Sequence, residues 1–226
     1  MTLFVITLGF EEKFAVRMIT RHGLDEGDKL LLVTGPPTRQ AERAIKFLRD
    51  FASKYYGGRV SVEVVETHPQ WGFDSLVAEV YKAVATRLGE GRVVFNLSGG
   101  MRCICLAALV AAQLLSLSGA QISVELETED SELLLEVPHY VLALPRVVAE
   151  LTPEKAALLS RIAAHRTTIS KLAEKVGKDV STVARHLRVL QRLGLVKVSG
   201  ARPRIYEITP IAKILLQALR LTSKVQ

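Results

Sequence analysis

Four runs rich in β-branched residues and leucine, 3–8, 29–34, 60–65 and 92–96, constrain this chain more than any other feature. In the first, second and fourth of them the apolar residues are contiguous instead of alternating, the pattern of strands buried on both faces. Each run leads into a stretch with apolar residues at helical spacing. Phe14, Val16, Met18 and Ile19 follow the first run, and Ala41, Ala44, Ile45, Leu48 and Phe51 follow the second, where Thr38 can cap the helix. Helices at 73–88 and 103–117 follow the third and fourth. Repeated strand–helix units predict a Rossmann-like α/β fold, a mostly parallel sheet with helices on both sides. Residues 121–127 and 132–137 flank a short polar turn at 128–131 and predict an antiparallel hairpin at the sheet edge. The alternation of Val124 and Leu126 with Glu125 and Glu127 places the two glutamates on an exposed face.

Ligands of such sheets bind beyond the carboxyl ends of the strands, where strand order reverses. Two loops qualify: Thr7, Leu8, Gly9 and Phe10 after the first strand, and Asn96, Leu97, Ser98, Gly99, Gly100, Met101 and Arg102 after the fourth. They become neighbours if the first and fourth strands flank the switch point. The second loop opens a helix whose free N–H groups and partial positive charge suit phosphate or another anion. Gly99 and Gly100 let a ligand approach the backbone, and Arg102 adds a charged fork. The familiar nucleotide fingerprints are missing. Gly9 is not followed by G-x-x-G, and no G-x-x-x-x-G-K-[ST] occurs.

Other classes are excluded on similar grounds. The apolar run at 103–117 is broken by Gln113 and is short for a membrane span. The first residues lack a basic segment and read as a strand, not a signal peptide. Cys103 and Cys105 lie on different faces of one helix, so a reducing, cytoplasmic setting is expected. His22, His68, His139, His165 and His186 are scattered without partners at ligand spacing, and no metal is expected.

Charge divides the chain. Residues 146–226 hold 16 Lys and Arg against 5 Asp and Glu, a net +11, while residues 1–145 hold 14 against 18, a net −4. A compact basic segment of this kind suits a polyanion. Its pattern is helix (153–165), short helix (169–176), the Gly177 turn, then helix (181–193), the helix-turn-helix arrangement, with Thr168 as a candidate cap. On the third of these helices Val183, Leu187 and Leu190 face inward. Ser181, Arg185, Arg188 and Arg192 fall on the opposite side, with Thr182 at its edge. A hairpin whose tip carries Arg202 and Arg204 follows as a wing, then a last helix from Pro210. Those seven polar and basic residues are the expected DNA contacts, the early ones at base edges and the arginines at phosphates. The expected organisation is a domain at 1–145, a linker at 146–152 and a winged helix-turn-helix domain at 153–226.

The loops at 7–10 and 96–102 resemble the two signature loops of CRISPR-associated Rossmann-fold (CARF) domains. A CARF-like domain followed by a winged helix is similar to the archaeal CRISPR-associated transcription regulators of the Csa family. That resemblance implies a homodimer with one symmetric pocket for a cyclic oligoadenylate, chiefly cyclic tetra-adenylate, as a regulatory ligand without any cofactor. It implies promoter DNA as the second partner. N–H groups at 98–101 and the Arg102 guanidinium would then meet phosphates, and Thr7, Gly9, Phe10 and Asn96 would meet riboses or bases. The alternative is a ring nuclease that cleaves cyclic tetra-adenylate in the same pocket, with Ser98 and Arg102 stabilising the transition state.

Overall fold

The computed structural model describes residues 1–89, 91–130 and 132–222. Ser131, within the expected turn, and residues 223–226 of the expected C-terminal domain lie outside the described residues. The chain forms two compact units, Met1–Leu142 and the residues from Ala143 onward.

The first unit runs β1 (Thr2–Thr7), α1 (Lys13–His22), β2 (Lys29–Thr34), α2 (Arg39–Tyr56), β3 (Ser61–Glu66) and α3 (Phe73–Ala85). It continues with β4 (Arg92–Asn96), α4 (Arg102–Leu117), β5 (Ile122–Glu127), β6 (Leu134–Val137) and a short α5 (His139–Leu142). The six strands lie in the order β3-β2-β1-β4-β5-β6, parallel except for the β5–β6 hairpin. This is the Rossmann-like sheet that the strand runs predict. Successive strand residues serve opposite layers. Leu3, Val5, Leu31, Val33, Val93 and Phe95 join one core with residues of α3 and α4. Phe4, Ile6, Leu30, Leu32 and Val94 join another with Met18 and Ile19 of α1 and Ala44 and Leu48 of α2. Two covered faces explain why these runs do not alternate.

β1 pairs directly with β4, with Val5 opposite Phe95 and Ile6 opposite Asn96. Strand order therefore reverses between them, and the loops at 7–10 and 96–102 leave the sheet side by side.

Glu125 departs from its expected exposure: it is buried. α1 covers this end of β5, and its basic carboxyl-terminal turn supplies partners. Arg21 Nη2 donates to Glu125 Oε1 at 2.6 Å, and Asn96 Nδ2 donates to the same oxygen at 2.9 Å. His22 Nε2 lies 2.8 Å from Glu125 Oε2. Arg92 Nη2, which can only donate, lies 3.3 Å from His22 Nδ1, so the ring proton belongs on Nε2 and points at the carboxylate. Glu127 is likewise tied to Arg21 and Arg17 at 3.4 and 3.5 Å. The carboxylates that His22 and His68 lack locally thus come from distant positions, Glu125 and Glu79.

The second unit holds α6 (Leu144–Glu150), α7 (Pro153–Ala164), α8 (Ile169–Val176), α9 (Val180–Arg192), β7 (Val196–Ser199), β8 (Ile205–Ile208) and α10 (Pro210–Thr222). Its core gathers Leu158, Leu159, Ile162, Leu172, Val183, Leu187 and Leu190. The expected linker at 146–152 is corrected: most of it is α6, whose Val147 is fully buried in this core. Pro145 suits the first helical turn, and Arg146 pairs with Glu150 one turn on at 3.1 Å. Thr152 caps α7 by accepting from the Lys155 N–H, whereas Thr168 precedes α8 without a side-chain capping bond.

Burial opposes ionisation of Glu125, but hydrogen bonds from His22, Asn96 and Arg21, with the Arg21 charge, outweigh it and hold its pKa below the ordinary carboxylate value. A depressed folded-state pKa gives stability that is complete above the unfolded pKa, about 4.3, and is lost as pH falls through the folded value. The melting midpoint is expected to hold from pH 7 to about 5 and to drop below about pH 4.3. Glu125→Gln should lower stability at pH 7 by roughly 3 kcal/mol, because it strips a buried pair of one charge. It should also flatten the acid limb; an acid limb as steep as that of the parent protein would contradict this account.

Candidate functional site

The two loops at the β1–β4 switch point are held from below. Asn96, fully buried, donates to Glu125 as described, and its Oδ1 accepts from the Ser98 N–H at 3.1 Å. Thr7 Oγ1 donates to the Asn96 carbonyl at 3.2 Å. Ser98 Oγ accepts the Glu127 N–H at 2.8 Å, tying the loop to the end of β5. The Cys105 thiol sits underneath, 3.1 Å from the Gly99 carbonyl, and burial pushes its pKa up, which makes it a structural thiol.

Glycine closes the pair of loops. A Cβ on Gly9 would stand 3.0 Å from the Gly100 nitrogen, and one on Gly100 would stand 3.3 Å from Leu8 backbone atoms. Gly100 also has φ +87°, a conformation costly to residues with a side chain. The glycines are used first for backbone-to-backbone packing of one loop on the other. Room for a ligand, the expected reason, is a consequence of that closure.

Above the closure lies a cavity of about 520 Å³. Of the residues expected at a ligand, Gly9, Phe10, Ser98, Gly99, Gly100, Met101 and Arg102 line it. Thr7, Leu8, Asn96 and Leu97 do not: they are buried and position the others. The α4 amino terminus forms the floor. Met101 stands at its cap position and supplies no side-chain acceptor, so the N–H groups of Arg102 and Cys103 keep their capacity for an anion, while the Ile104 N–H donates to the Met101 carbonyl at 2.9 Å. Arg102, the first residue of α4, is exposed and has no hydrogen bond or ion pair among the described residues. Phe10, 62% exposed, and Met101, 48% exposed, add apolar surface at the rim.

Four lining residues escaped the sequence reading: Glu11, Lys13, Phe14 and Glu129. The first three follow loop 7–10 so closely that chain continuity alone could have found them. Glu129 comes from the β5–β6 turn, and only the β4–β5 pairing brings it here. Around it, Thr128 Oγ1 donates to Asp130 and accepts from the Leu133 N–H at 3.2 Å, and Asp130 accepts the Glu132 N–H at 3.1 Å. The bond from Thr128 holds the Asp130 carboxyl below its ordinary pKa, so this turn is set at neutral pH.

In the second unit, Val183, Leu187 and Leu190 anchor α9 in the core, while Ser181, Arg185 and Arg188 are exposed and Thr182 is half-buried. A groove of about 580 Å³ runs between α8, α9 and the β7–β8 hairpin, where Arg188, Arg202 and Arg204 meet Ser170 and Gln191. Arg192 is drawn away: its Nη2 donates to Glu150 of α6 at 2.9 Å. Among the described residues no helix is long and apolar enough to cross a membrane, and no three His, Cys, Asp or Glu side chains gather as a metal site.

Gly100→Ala is expected to cost about 1–2 kcal/mol from the left-handed backbone alone. That corresponds to a melting midpoint lower by roughly 2–8 °C, read by calorimetry. An unchanged midpoint would show that the loops do not depend on this closure.

Comparison with known proteins bears on both units. Residues 2–137 match the family model described as the Csa3 CRISPR-associated Rossmann-like domain. Residues 150–206 match a second family model, HVO_A0114. The chain is similar to the CRISPR locus-related protein Csa3 of Thermoproteus tenax, 32% identical over 208 residues and covering 91% of each chain. Among solved structures it is similar to ZitR of Lactococcus lactis, with 26% identity over 33% of this chain and 54% of that one and a TM-score of 0.31. It is also similar to the homodimeric winged helix-turn-helix DNA-binding domain of Mb0332 from Mycobacterium bovis. There the identity is 17%, over 38% of this chain and 80% of that one, with a TM-score of 0.34. The matched Rossmann-like domain and the near full-length relative lead to one conclusion: this chain belongs to the Csa3 family.

Proposed function

We propose that this chain is a ligand-responsive transcription regulator of CRISPR-Cas genes. In this reading it takes a cyclic oligoadenylate, chiefly cyclic tetra-adenylate, at the cavity above the β1–β4 switch point and binds promoter DNA through α9 and the hairpin. The observation that carries the reading is the α4 amino terminus, uncapped by any side chain and set beside the unpaired Arg102 on one cavity floor. Residues 1–145 are net acidic at −4, so long-range attraction does not bring an anion here. Its affinity must come from these local donors.

A homodimer would complete the pocket. α4 carries exposed Leu106, Leu114 and Leu117 with half-buried Val110 between them, an apolar stripe at helical spacing that leads back to Arg102 at the cavity. A second copy on this stripe would present each loop twice about a two-fold axis, which suits a ring of repeated nucleotides. The name of the Thermoproteus tenax relative refers to DNA binding. The basic groove of the second unit supports the same role here. Ring binding would act on DNA only through its different affinity for the two placements of the recognition helices.

A second reading, cleavage of the ring in the same pocket, is supported by the presence of both Ser98 and Arg102 in the cavity lining. One set of measurements addresses both readings: titration of the chain's own upstream promoter DNA with and without cyclic tetra-adenylate, and analysis of the labelled ring for linear products. The regulator reading expects the ring to shift DNA affinity. It also expects Arg102→Ala to weaken ring binding about 10- to 100-fold, since a charge-assisted hydrogen bond is worth about 1.5–3 kcal/mol. Absence of ring binding would sink it. Linear products lost in Arg102→Ala would replace it with the nuclease.

A further inference from the structure

An anion cavity has no evident use for an unpaired carboxylate; Glu11 at this cavity is paired with Lys13 at 2.8 Å, yet Glu129 lines it together with Arg102. Both side chains are exposed, and neither makes a hydrogen bond or ion pair with any described residue, including each other. A cation and a carboxylate that share a cavity without pairing are both left for a ligand. That ligand must carry an anionic group and, separately, a hydrogen-bond donor. Glu129 is also placed with care. The Glu127 N–H to Ser98 Oγ bond joins its strand to the phosphate loop, and the Thr128–Asp130 turn fixes the backbone on either side of it.

Resting on the nucleotide reading above, we propose that Glu129 accepts a hydrogen bond from a ribose 2′-hydroxyl and makes this pocket selective for ribonucleotide over deoxyribonucleotide rings. In a 3′,5′-linked ring the 2′-hydroxyl is the one sugar donor left free. The Watson–Crick edge of adenine offers an ionised carboxylate one N–H beside an acceptor nitrogen, which is a poorer match. The balance of forces favours the assignment. At an exposed rim, repulsion between Glu129 and a phosphate about 7 Å away costs roughly threefold in affinity. A hydrogen bond to an ionised acceptor returns about tenfold or more. For a deoxy ring only the repulsion remains.

The test compares cyclic tetra-adenylate with its 2′-deoxy counterpart by calorimetry, on the full-length protein and on Glu129→Ala and Glu129→Gln. The parent protein is expected to favour the ribo ring by at least about tenfold. Glu129→Ala should bring that ratio close to one while binding the deoxy ring as well as the parent or better. Glu129→Gln, which keeps an acceptor oxygen without the charge, should fall between. The ratio of two ligands on one variant is insensitive to a general loss of stability. An undiminished ratio in Glu129→Ala, with both rings still bound, overturns this inference alone. A parent protein that binds neither ring overturns the nucleotide reading and this inference with it.

Discussion

The buried link between Asn96 and Glu125 is the interaction on which the rest of the site depends. Asn96 ends β4, the strand beside the switch point, and has no access to water. Left unpaired there, its amide would cost several kcal/mol. Glu125 meets the donor side of that amide at 2.9 Å, and the Ser98 N–H meets the acceptor side at 3.1 Å. A carboxylate so deep needs counter-charge, which α1 supplies through Arg21, while His22 adds a hydrogen bond. One polar chain thus runs from the surface of α1, through β5 and β4, to the backbone of the ligand loop. Each member is satisfied only if the others are in place, which gives the loop one geometry.

That geometry explains a division of labour among the residues of the two loops. Thr7, Leu8, Asn96 and Leu97 face the interior and set the backbone; Gly9, Phe10 and the residues from Ser98 to Arg102 face the cavity. Side-chain donors are few at the floor because the α4 amino terminus provides backbone ones. These are set by the helix itself and would not reorganise to meet an anion. The cavity thus joins fixed backbone donors to an unpaired cation, Arg102, and an unpaired carboxylate, Glu129, beside the Lys13–Glu11 ion pair.

Much of this was legible in the sequence where local pattern or general topology governs it. Contiguous runs such as Leu30, Leu31 and Leu32 announce strands with both faces covered, and the strand–helix repeat announces a parallel sheet, whereas the place of β1 beside β4 was a condition that the fold supplies. The meeting of loops 7–10 and 96–102 follows from that pairing. What escaped depends on neighbours far along the chain. Glu125 looks like the polar half of an alternating strand until α1 covers it with Arg21 and His22. Glu129 belongs to a turn whose address is known only once β5 lies beside β4. The stretch before α7 carries the basic and proline residues of a linker, but Val147 is drawn into the C-terminal core and Glu150 is pinned by Arg146 and Arg192. Arg192 is tied to Glu150 for the same reason.

In the proposed reading the cavity is half of a symmetric pocket for a cyclic oligoadenylate, completed by a second copy across the apolar stripe of α4. Stoichiometry tests it most directly. Calorimetric titration of the protein with cyclic tetra-adenylate, alongside the mass of the complex by light scattering, should give one ring for two chains and a dimeric mass. One ring per chain on a monomer, or no heat of binding, would contradict the account.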